Sequence, residues 1–129
     1  MYSNKISIHL EAYMDNWVDY SSNDMRLISC TESGGWNFME SVDGKRTFVI
    51  YDGAYGYRSG YASSTVASIS AGWHSFDFVF DGSKAYSYID GTQQTVSDAF
   101  AGKIYYNTTN SIFVGQEAAS ANNTPASYG

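Results

Sequence analysis

Residues 72–91 read Gly-Trp-His-Ser-Phe-Asp-Phe-Val-Phe-Asp-Gly-Ser-Lys-Ala-Tyr-Ser-Tyr-Ile-Asp-Gly, and this stretch decides the fold. In its first half, Phe76, Phe78 and Phe80 recur at every second position. Residues 85–89 alternate in the same manner. Because successive side chains of a strand point to opposite faces, each half is predicted to be a strand with one face against a core.

Asp-Gly pairs mark the predicted turns. Asp81-Gly82 lies between the two strands and supplies the positive backbone φ angles that a tight hairpin needs. Asp-Gly occurs again at 43–44, 52–53 and 90–91, each time after an alternating segment. The recurrence of strand, Asp-Gly and strand is typical of an antiparallel sandwich.

Gly-Trp-His, an apolar alternating strand, Asp-Gly, a second strand and Tyr-Ile-Asp-Gly together resemble the central hairpin of the concanavalin A-like superfamily, in its laminin-G-type branch. Residues 6–13 with 25–30 resemble the early strands of that family, and residues 111–115 resemble its late apolar strand followed by Gly. The resemblance covers residues 5–116. It implies an all-β fold, an antiparallel two-sheet β-sandwich of the jelly-roll type, and it implies no cofactor and no reaction.

The predicted core follows from the same alternation. In residues 5–13, apolar residues including Ile6 and Leu10 occupy one face, while Ser7, His9 and Glu11 occupy the other. Residues 36–42 and 46–52 alternate as well and are predicted to be strands. The residues expected in or at the core are Trp73, Phe38, Ile8, Ile28 and Phe113.

Composition agrees with one β-rich domain spanning residues 1–129. The 12 Tyr, 7 Phe, 3 Trp and 12 Gly with a single Pro suit many short strands joined by glycine turns. The net charge of −6 and the scattered basic residues argue against a nucleic-acid partner. No apolar run approaches the length of a membrane span, so membrane insertion is not expected. The N-terminal residues lack the charged and apolar regions of a signal peptide.

Cys30 is the only cysteine, so the chain cannot form an intramolecular disulfide. Its position in an apolar segment predicts a buried, inert thiol. A zinc site would have to use His9 and His74, which are far apart in sequence. Asp15, Asp19 and Asp24 lie in an oxygen-rich loop of the kind that can hold calcium, although their spacing matches no ordered calcium loop. The same segment fits a solvated loop with Trp17 turned inward, and no cofactor is predicted.

Two tyrosine-rich segments are the predicted ligand contacts. Residues 54–64 interleave tyrosines and one arginine with Gly, Ala and Ser, a composition that recognition surfaces favour. The same segment also fits a glycine-softened strand whose tyrosines cover the edge of the core, and the sequence leaves both interpretations open. The nominated residues are Tyr55, Tyr57, Arg58 and Tyr61, with Tyr105 and Tyr106 as a second patch.

Motifs of catalysis are missing from the sequence. The glucanases of the superfamily that this chain resembles carry Glu-x-Asp-x-x-Glu on one strand, which aligns two carboxylates for a retaining mechanism. No such run occurs here, and neither does a Gly-x-Ser-x-Gly elbow or a His-Glu-x-x-His pair. We therefore expect a protein that is not an enzyme.

Two functions remain open. The first is a binding module that recognises a glycan through aromatic side chains and hydrogen-bonding polar groups. The second is a structural or decoration module that docks onto other proteins of a larger assembly. Domains of the kind this chain resembles are common in phage and bacterial surface proteins, which implies an extracellular, cell-surface or virion location.

The ends of the sequence are predicted to be short of strands. In the family that the chain resembles, one more strand precedes the segment at 6–13 and one more follows the segment at 111–115. Here residues 116–129 form a polar loop or tail rich in Ala, Ser and Asn. We therefore expect a sheet edge that is completed by another subunit or by the rest of a longer chain.

Overall fold

The computed structural model describes residues 2–14, 27–30, 35–42, 45–52, 61–66, 69–97, 99–101, 103–105 and 111–115. This part of the chain forms eleven β-strands and no helix, and therefore no helix that could cross a membrane. The strands are β1 Tyr2–Ser3, β2 Ile6–Met14, β3 Ile28–Cys30, β4 Gly35–Val42, β5 Lys45–Tyr51, β6 Tyr61–Val66, β7 Gly72–Phe80, β8 Ala85–Ile89, β9 Thr92–Gln93, β10 Ile104–Tyr105 and β11 Phe113–Val114.

The strands form two main sheets. A five-stranded sheet has the order β11-β3-β4-β5-β6, and a four-stranded sheet has the order β2-β7-β8-β9. A small third sheet pairs β1 with β10. Every pairing is antiparallel, which confirms the predicted all-β, antiparallel class.

The predicted hairpin of β7 and β8 forms, but the positive φ predicted for both Asp81 and Gly82 occurs at Gly82 alone, and residues 81–84 make the connection. Strands β7 and β8 pair from Phe76 opposite Ile89 to Phe80 opposite Ala85. In the turn, the Asp81 carboxylate accepts hydrogen bonds from the backbone N–H groups of Ser83 and Lys84, at 2.7 and 2.8 Å. Both bonds lower the pKa of Asp81, and the bond from Lys84 has the larger effect.

The second Asp-Gly pair makes a two-residue turn into β9. Asp90 and Gly91 both have positive φ, 50° and 74°, and Ile89 pairs with Thr92 across them. Two consecutive positive φ angles define the type I′ turn, whose twist matches that of paired strands. Beyond β9, the backbone N–H groups of Gln94 and Ser97 donate hydrogen bonds to the carbonyls of Ser87 and Ala85 in β8. The side of β8 that faces away from β7 therefore has hydrogen-bond partners beyond the short strand β9.

The N-terminal strand β2 completes the other side of the four-stranded sheet. It pairs with β7 along its whole length, from Ile6 opposite Phe80 to Met14 opposite Gly72. The predicted alternation is confirmed, because Ile6, Ile8 and Leu10 pack against the core while the residues between them are exposed. The strand is one residue further along the chain than the predicted segment.

Aromatic contacts join the two main sheets. Phe38 of β4 stacks on Phe78 of β7 with ring centroids 3.6 Å apart, and it also contacts Phe76 at 5.6 Å. Phe48 of β5 contacts Phe78 from the same side at 5.3 Å. All four phenylalanine side chains are fully buried, so the sheets pack face to face through them.

The prediction of the core is right for three residues. Phe38 is buried, and Ile8 and Ile28 pack against the core cluster. The prediction for Trp73 is wrong, because this side chain is 71% exposed. In an alternating strand Trp73 must point away from the face of Phe76, and the core lies on that face. Phe113 is half-buried and lies opposite Ser29, on the face away from Ile28, so it does not join the core cluster.

Cys30 is buried as predicted. Burial raises the pKa of its thiol, because desolvation disfavours the thiolate. Strand β5 departs from the predicted pattern of one buried face, since Thr47, Val49 and Tyr51 are buried as fully as the phenylalanine and isoleucine between them. It occupies the fourth of five positions in its sheet, with β4 and β6 as neighbours.

Candidate functional site

The candidate site lies on the side of the four-stranded sheet that faces away from the core. We call this surface the outer face. Because Phe76, Phe78 and Phe80 point to the core, the alternate residues of β7 and their partners on β2 and β8 point outward. The register arranges them in cross-strand rows: Ser7, Val79 and Tyr86; then His9, Asp77 and Tyr88; then Glu11 and Ser75; and finally Tyr13 and Trp73.

The last row presents an exposed aromatic pair. Trp73 is 71% exposed and Tyr13 is 56% exposed, and they lie directly opposite each other on β7 and β2. Their ring centroids are 5.8 Å apart and the rings are nearly perpendicular at 74°, the edge-to-face geometry that aromatic pairs favour. Each ring supports the other, and both leave a large apolar surface open to a ligand. We call Trp73 and Tyr13 the aromatic platform.

A shallow cleft of about 280 Å³ adjoins the aromatic platform. It is lined by Glu11, Trp73, His74, Ser75 and Asp90. Within the described part of the chain, neither the Glu11 carboxylate nor the Trp73 indole N–H has a hydrogen-bond or ion-pair partner. The cleft therefore offers one acceptor and one donor beside an apolar surface.

A histidine–carboxylate pair holds one wall of the cleft. Nδ1 of His74 lies 2.7 Å from Oδ2 of Asp90, and Nε2 of His74 lies 3.0 Å from the carbonyl oxygen of Ser70. Both ring nitrogens thus face acceptors, which only the protonated imidazolium satisfies as a donor at both positions. The hydrogen bond to Asp90 raises the pKa of His74 most, and the hydrogen bond from His74 lowers the pKa of Asp90 most.

The same carboxylate ties the β8–β9 turn to β7. Oδ1 of Asp90 accepts a hydrogen bond from the Ser75 backbone N–H at 3.0 Å, and the Asp90 N–H donates to the Ser75 carbonyl at 3.0 Å. Since Ser75 and His74 directly follow Trp73, these bonds fix the backbone that carries the aromatic platform. A ligand would therefore meet a preorganised strand rather than a loop.

A second histidine–carboxylate pair lies on the outer face, two rows from the aromatic platform. Nδ1 of His9 is 2.7 Å from Oδ1 of Asp77, and both side chains are well exposed. Exposed ion pairs contribute little to stability, so the main effect of this pair is on the local charge of the outer face. The two histidines have different carboxylate partners, Asp77 for His9 and Asp90 for His74, and they do not come together as a zinc site would require.

The described residues contain no cluster of three His, Cys, Asp or Glu side chains that could hold a metal ion. Both ring nitrogens of His74 are bonded to Asp90 and Ser70, so neither lone pair is directed into the cleft as a base. The arrangement suits contact with a ligand's surface: an exposed indole, a phenol ring and a carboxylate on a rigid sheet.

Most residues predicted to bind a ligand or a metal lie outside the described residues; these are Tyr55, Tyr57, Arg58, Tyr106, Asp15, Asp19 and Asp24. Tyr61 begins β6, where its backbone pairs with Tyr51 at the edge of the five-stranded sheet. Tyr105 lies in β10, paired with Tyr2 and half-buried. Tyr61 and Tyr105 thus belong to different sheets, and neither belongs to the four-stranded sheet of the outer face.

The aromatic platform and the cleft are not among the sites predicted from the sequence. One signal was available, because the alternation that puts Phe76 and Phe78 in the core puts Trp73 outside it. The pairing of Tyr13 with Trp73 gave no local signal, since the two residues are distant in sequence.

Comparison with known proteins gives no further constraint. No protein-family model matches the chain, and no curated protein or solved structure gives a significant match. The resemblance to the concanavalin A-like, laminin-G-type superfamily therefore stays a prediction from the sequence.

Proposed function

We propose that this chain is a non-catalytic binding module that recognises glycans through the outer face of its four-stranded sheet. The observation that carries the proposal is the exposed cross-strand pair of Trp73 and Tyr13. Large exposed apolar side chains cost free energy in water unless a partner covers them, and adjacent exposed aromatics on a rigid sheet often mark a binding surface.

A sugar ring suits this surface for a chemical reason. Its axial C–H groups form an apolar patch with slight positive charge, and the face of an aromatic ring carries negative charge. Its hydroxyl groups lie around the rim and need hydrogen-bond partners, which the Glu11 carboxylate, the Trp73 indole N–H and the polar side chain of Ser75 supply. Aromatic rings give this contact area at low entropic cost, because few torsions are frozen on binding.

The flatness of the site favours an extended ligand. The rows of the outer face continue from Trp73 along β7 to Tyr88 and Tyr86 of β8, which are half-buried. A chain of several sugars can lie across these rows, with each further ring adding contact area. The cleft encloses little volume, so we expect modest affinity for a single sugar and tighter binding of oligomers.

The fold fits a module of this kind. We propose that the two antiparallel sheets form a jelly roll of the concanavalin A-like, laminin-G type, within a phage or bacterial surface assembly. The β7–β8 hairpin with its two Asp-Gly turns supports this, together with the packing of two sheets through an aromatic core. The lack of a catalytic carboxylate pair in the sequence supports a role without chemistry.

The test is a glycan array followed by titration calorimetry of the hits. We expect saturable binding to an oligosaccharide, and we expect Trp73→Ala to weaken it more than tenfold while leaving the melting temperature nearly unchanged. Val114→Ala is the matched control, because Val114 is a similarly exposed apolar residue (76%) on the other sheet. An array without hits, or equal binding by Trp73→Ala, would refute the proposal.

A second function has its own support. Among the described strands, β2 pairs only with β7, so its nine residues form an edge of the four-stranded sheet. Exposed edges can accept a strand from another chain. A docking module would use this edge, and sedimentation at micromolar concentration tests it: self-association or assembly with a neighbouring protein is expected, and a stable monomer alone or with candidate neighbours argues against it.

A further inference from the structure

We propose that the cleft beside the aromatic platform selects sugars that carry a free, protonated amine over the same sugars in N-acetylated or neutral form. This inference rests on the proposed glycan-binding function and names its substrate class. Its basis is the position of Glu11, an ionisable carboxylate on the outer face with no described partner, next to the exposed rings of Trp73 and Tyr13.

Glu11 lies close to the aromatic platform along β2. Glu11 and Tyr13 are two positions apart on the same face, which is about 7 Å for an extended strand. A sugar lying on the aromatic platform therefore has one side of its ring towards Glu11. A substituent on that side meets a carboxylate, which only accepts hydrogen bonds when ionised.

The other carboxylates in and near the cleft are already hydrogen-bonded. Asp90, the other carboxylate that lines it, is hydrogen-bonded to the imidazole of His74 and to the Ser75 N–H. Asp77, two rows from the platform, is paired with His9. Glu11 is thus the carboxylate of this surface without a hydrogen-bond or ion-pair partner among the described residues, since its neighbour along β2, His9, is bonded to Asp77.

The lysines beside the four-stranded sheet lie far from the cleft. Lys5 directly precedes β2 and Lys84 directly precedes β8, so both lie at the Asp81 end of the sheet, opposite the end that carries Trp73. The two histidines of the four-stranded sheet are nearer to the cleft, and each is hydrogen-bonded to an aspartate, His9 to Asp77 and His74 to Asp90. The whole chain carries a net charge of −6, so anionic sugars meet a repulsive field.

An ammonium group satisfies both parts of this site at once. It pairs with the Glu11 carboxylate, and it lies near aromatic faces that attract cations through the ring quadrupole. An N-acetyl group offers one neutral N–H donor and brings a carbonyl oxygen towards the carboxylate. Since exposed cation–π contacts and exposed ion pairs are each modest, we expect a preference of roughly three- to tenfold for the amine.

The experiment compares two ligands of equal length by calorimetry at a pH of about 5, where the amines of glucosamine oligomers are largely protonated and a carboxyl of ordinary pKa is mostly ionised. One is an oligomer of β-1,4-linked glucosamine, and the other is the same oligomer fully N-acetylated. We expect the wild-type chain to prefer the amine oligomer, and the preference to fall as salt is added.

Three variants locate the effect. Glu11→Gln should remove the preference while keeping the affinity for the N-acetylated oligomer. Asp77→Asn is the matched control on the same face and should keep the preference, because Asp77 is already paired with His9. Trp73→Ala should weaken both ligands, and thermal unfolding of each variant shows that it is folded.

The outcomes separate the two proposals. If the two oligomers bind equally, if Glu11→Gln keeps the preference, or if only other glycans bind, the inference about amines is overturned and the glycan-binding function stands. If neither oligomer binds and a glycan array is also silent, both proposals are overturned. If Asp77→Asn removes the preference as fully as Glu11→Gln, the effect reflects overall charge and the assignment to Glu11 is wrong.

Discussion

His74 and Asp90 are joined by a 2.7 Å hydrogen bond between Nδ1 and Oδ2, which links the start of β7 to the turn that follows β8. The second ring nitrogen of His74 lies 3.0 Å from the Ser70 carbonyl, so the protonated ring is held from both sides. His74 directly follows Trp73 in β7, and both residues line the cleft together with Asp90.

The first prediction is a pH-dependent stability that disappears with His74. The pKa of His74 is raised in the fold, so its contribution is fully present below its ordinary value of 6.5 and is lost as the pH rises through the raised value. The pKa of Asp90 is lowered, so its contribution is present above the ordinary value of 3.8 and is lost as the pH falls through the lowered value. The pair therefore stabilises most between these two values.

The measurement is the melting temperature of the wild-type chain and of His74→Asn from acidic to alkaline pH. The wild-type advantage should be largest in mildly acidic solution and should shrink in alkaline solution. A difference that is the same at every pH would contradict the protonated pair. His9→Asn is the matched control for the other, more exposed histidine–carboxylate pair.

The second prediction contrasts two aromatic residues of β7. Phe78→Ala should lower the free energy of unfolding by about 3–5 kcal/mol, because it removes the ring that stacks on Phe38 and contacts Phe48 in a closed core. Trp73→Ala should change it by about 0.5 kcal/mol or less, since the side chain is mainly exposed. Denaturant titration measures both, and a large loss for Trp73→Ala would show that its ring is structural.

The third prediction separates two turn glycines. A Cβ atom at Gly82 would stand 2.8 Å from the carbonyl oxygen of Asn4, and its φ is +99°. At Gly91 the φ is +74°, and nothing lies within 4 Å of the added atom. Gly91→Ala should therefore cost only the left-handed conformation, about 1–2 kcal/mol. Gly82→Ala should cost more, because a backbone atom must move, and equal costs in denaturant titration would contradict this contact.

The fourth prediction concerns the Cys30 thiol. It is buried and its pKa is raised, so little thiolate is exposed to a reagent in the native state. An aromatic disulfide reagent should react slowly with the folded chain and stoichiometrically in denaturant. Fast reaction of the folded chain would show that β3 opens readily.

The fifth prediction compares the two candidate ligand surfaces. If the aromatic platform is the main contact, Trp73→Ala should weaken glycan binding more than tenfold, and Tyr57→Ala with Tyr61→Ala should retain most of it. The reverse result, measured by calorimetry with the same oligosaccharide, would assign the ligand to the tyrosine-rich segment 54–64. Both sets need their melting temperatures measured, because a tyrosine that covers the core would lower stability as well.

Much of the fold is predictable because its signals are local. Alternation within β7 and β8 and the Asp90-Gly91 turn depend on neighbouring residues, and these predictions are confirmed. The predicted turns at 43–44 and 52–53 include residues that lie outside the described part of the chain. The burial of both faces of β5 is not predictable in this way, because it depends on its neighbours in space and not on its own pattern. The prediction for Trp73 is wrong because hydrophobicity alone favours a buried indole, whereas the position of Trp73 in the alternation of β7 puts it on the exposed face.

The candidate site was hidden for a different reason. Its parts come from β2, from β7 and from the turn after β8, and the register that aligns Tyr13 with Trp73 is a long-range property. Glu11 and Asp90 look like ordinary solvent-exposed charges when each is considered alone. Only the sheet brings them to one cleft.

The pairing of β2 with β7 also sets an order of assembly for the nascent chain. The partners His9 and Asp77 are 68 positions apart, whereas the β7–β8 hairpin closes over a turn of a few residues. Loop closure favours the hairpin first, and pairings of high contact order form late and slowly. On the ribosome β2 is made before β7, so the apolar row of Ile6, Ile8 and Leu10 has no partner strand until β7 has been synthesised, and its exposed apolar surface favours aggregation during that interval.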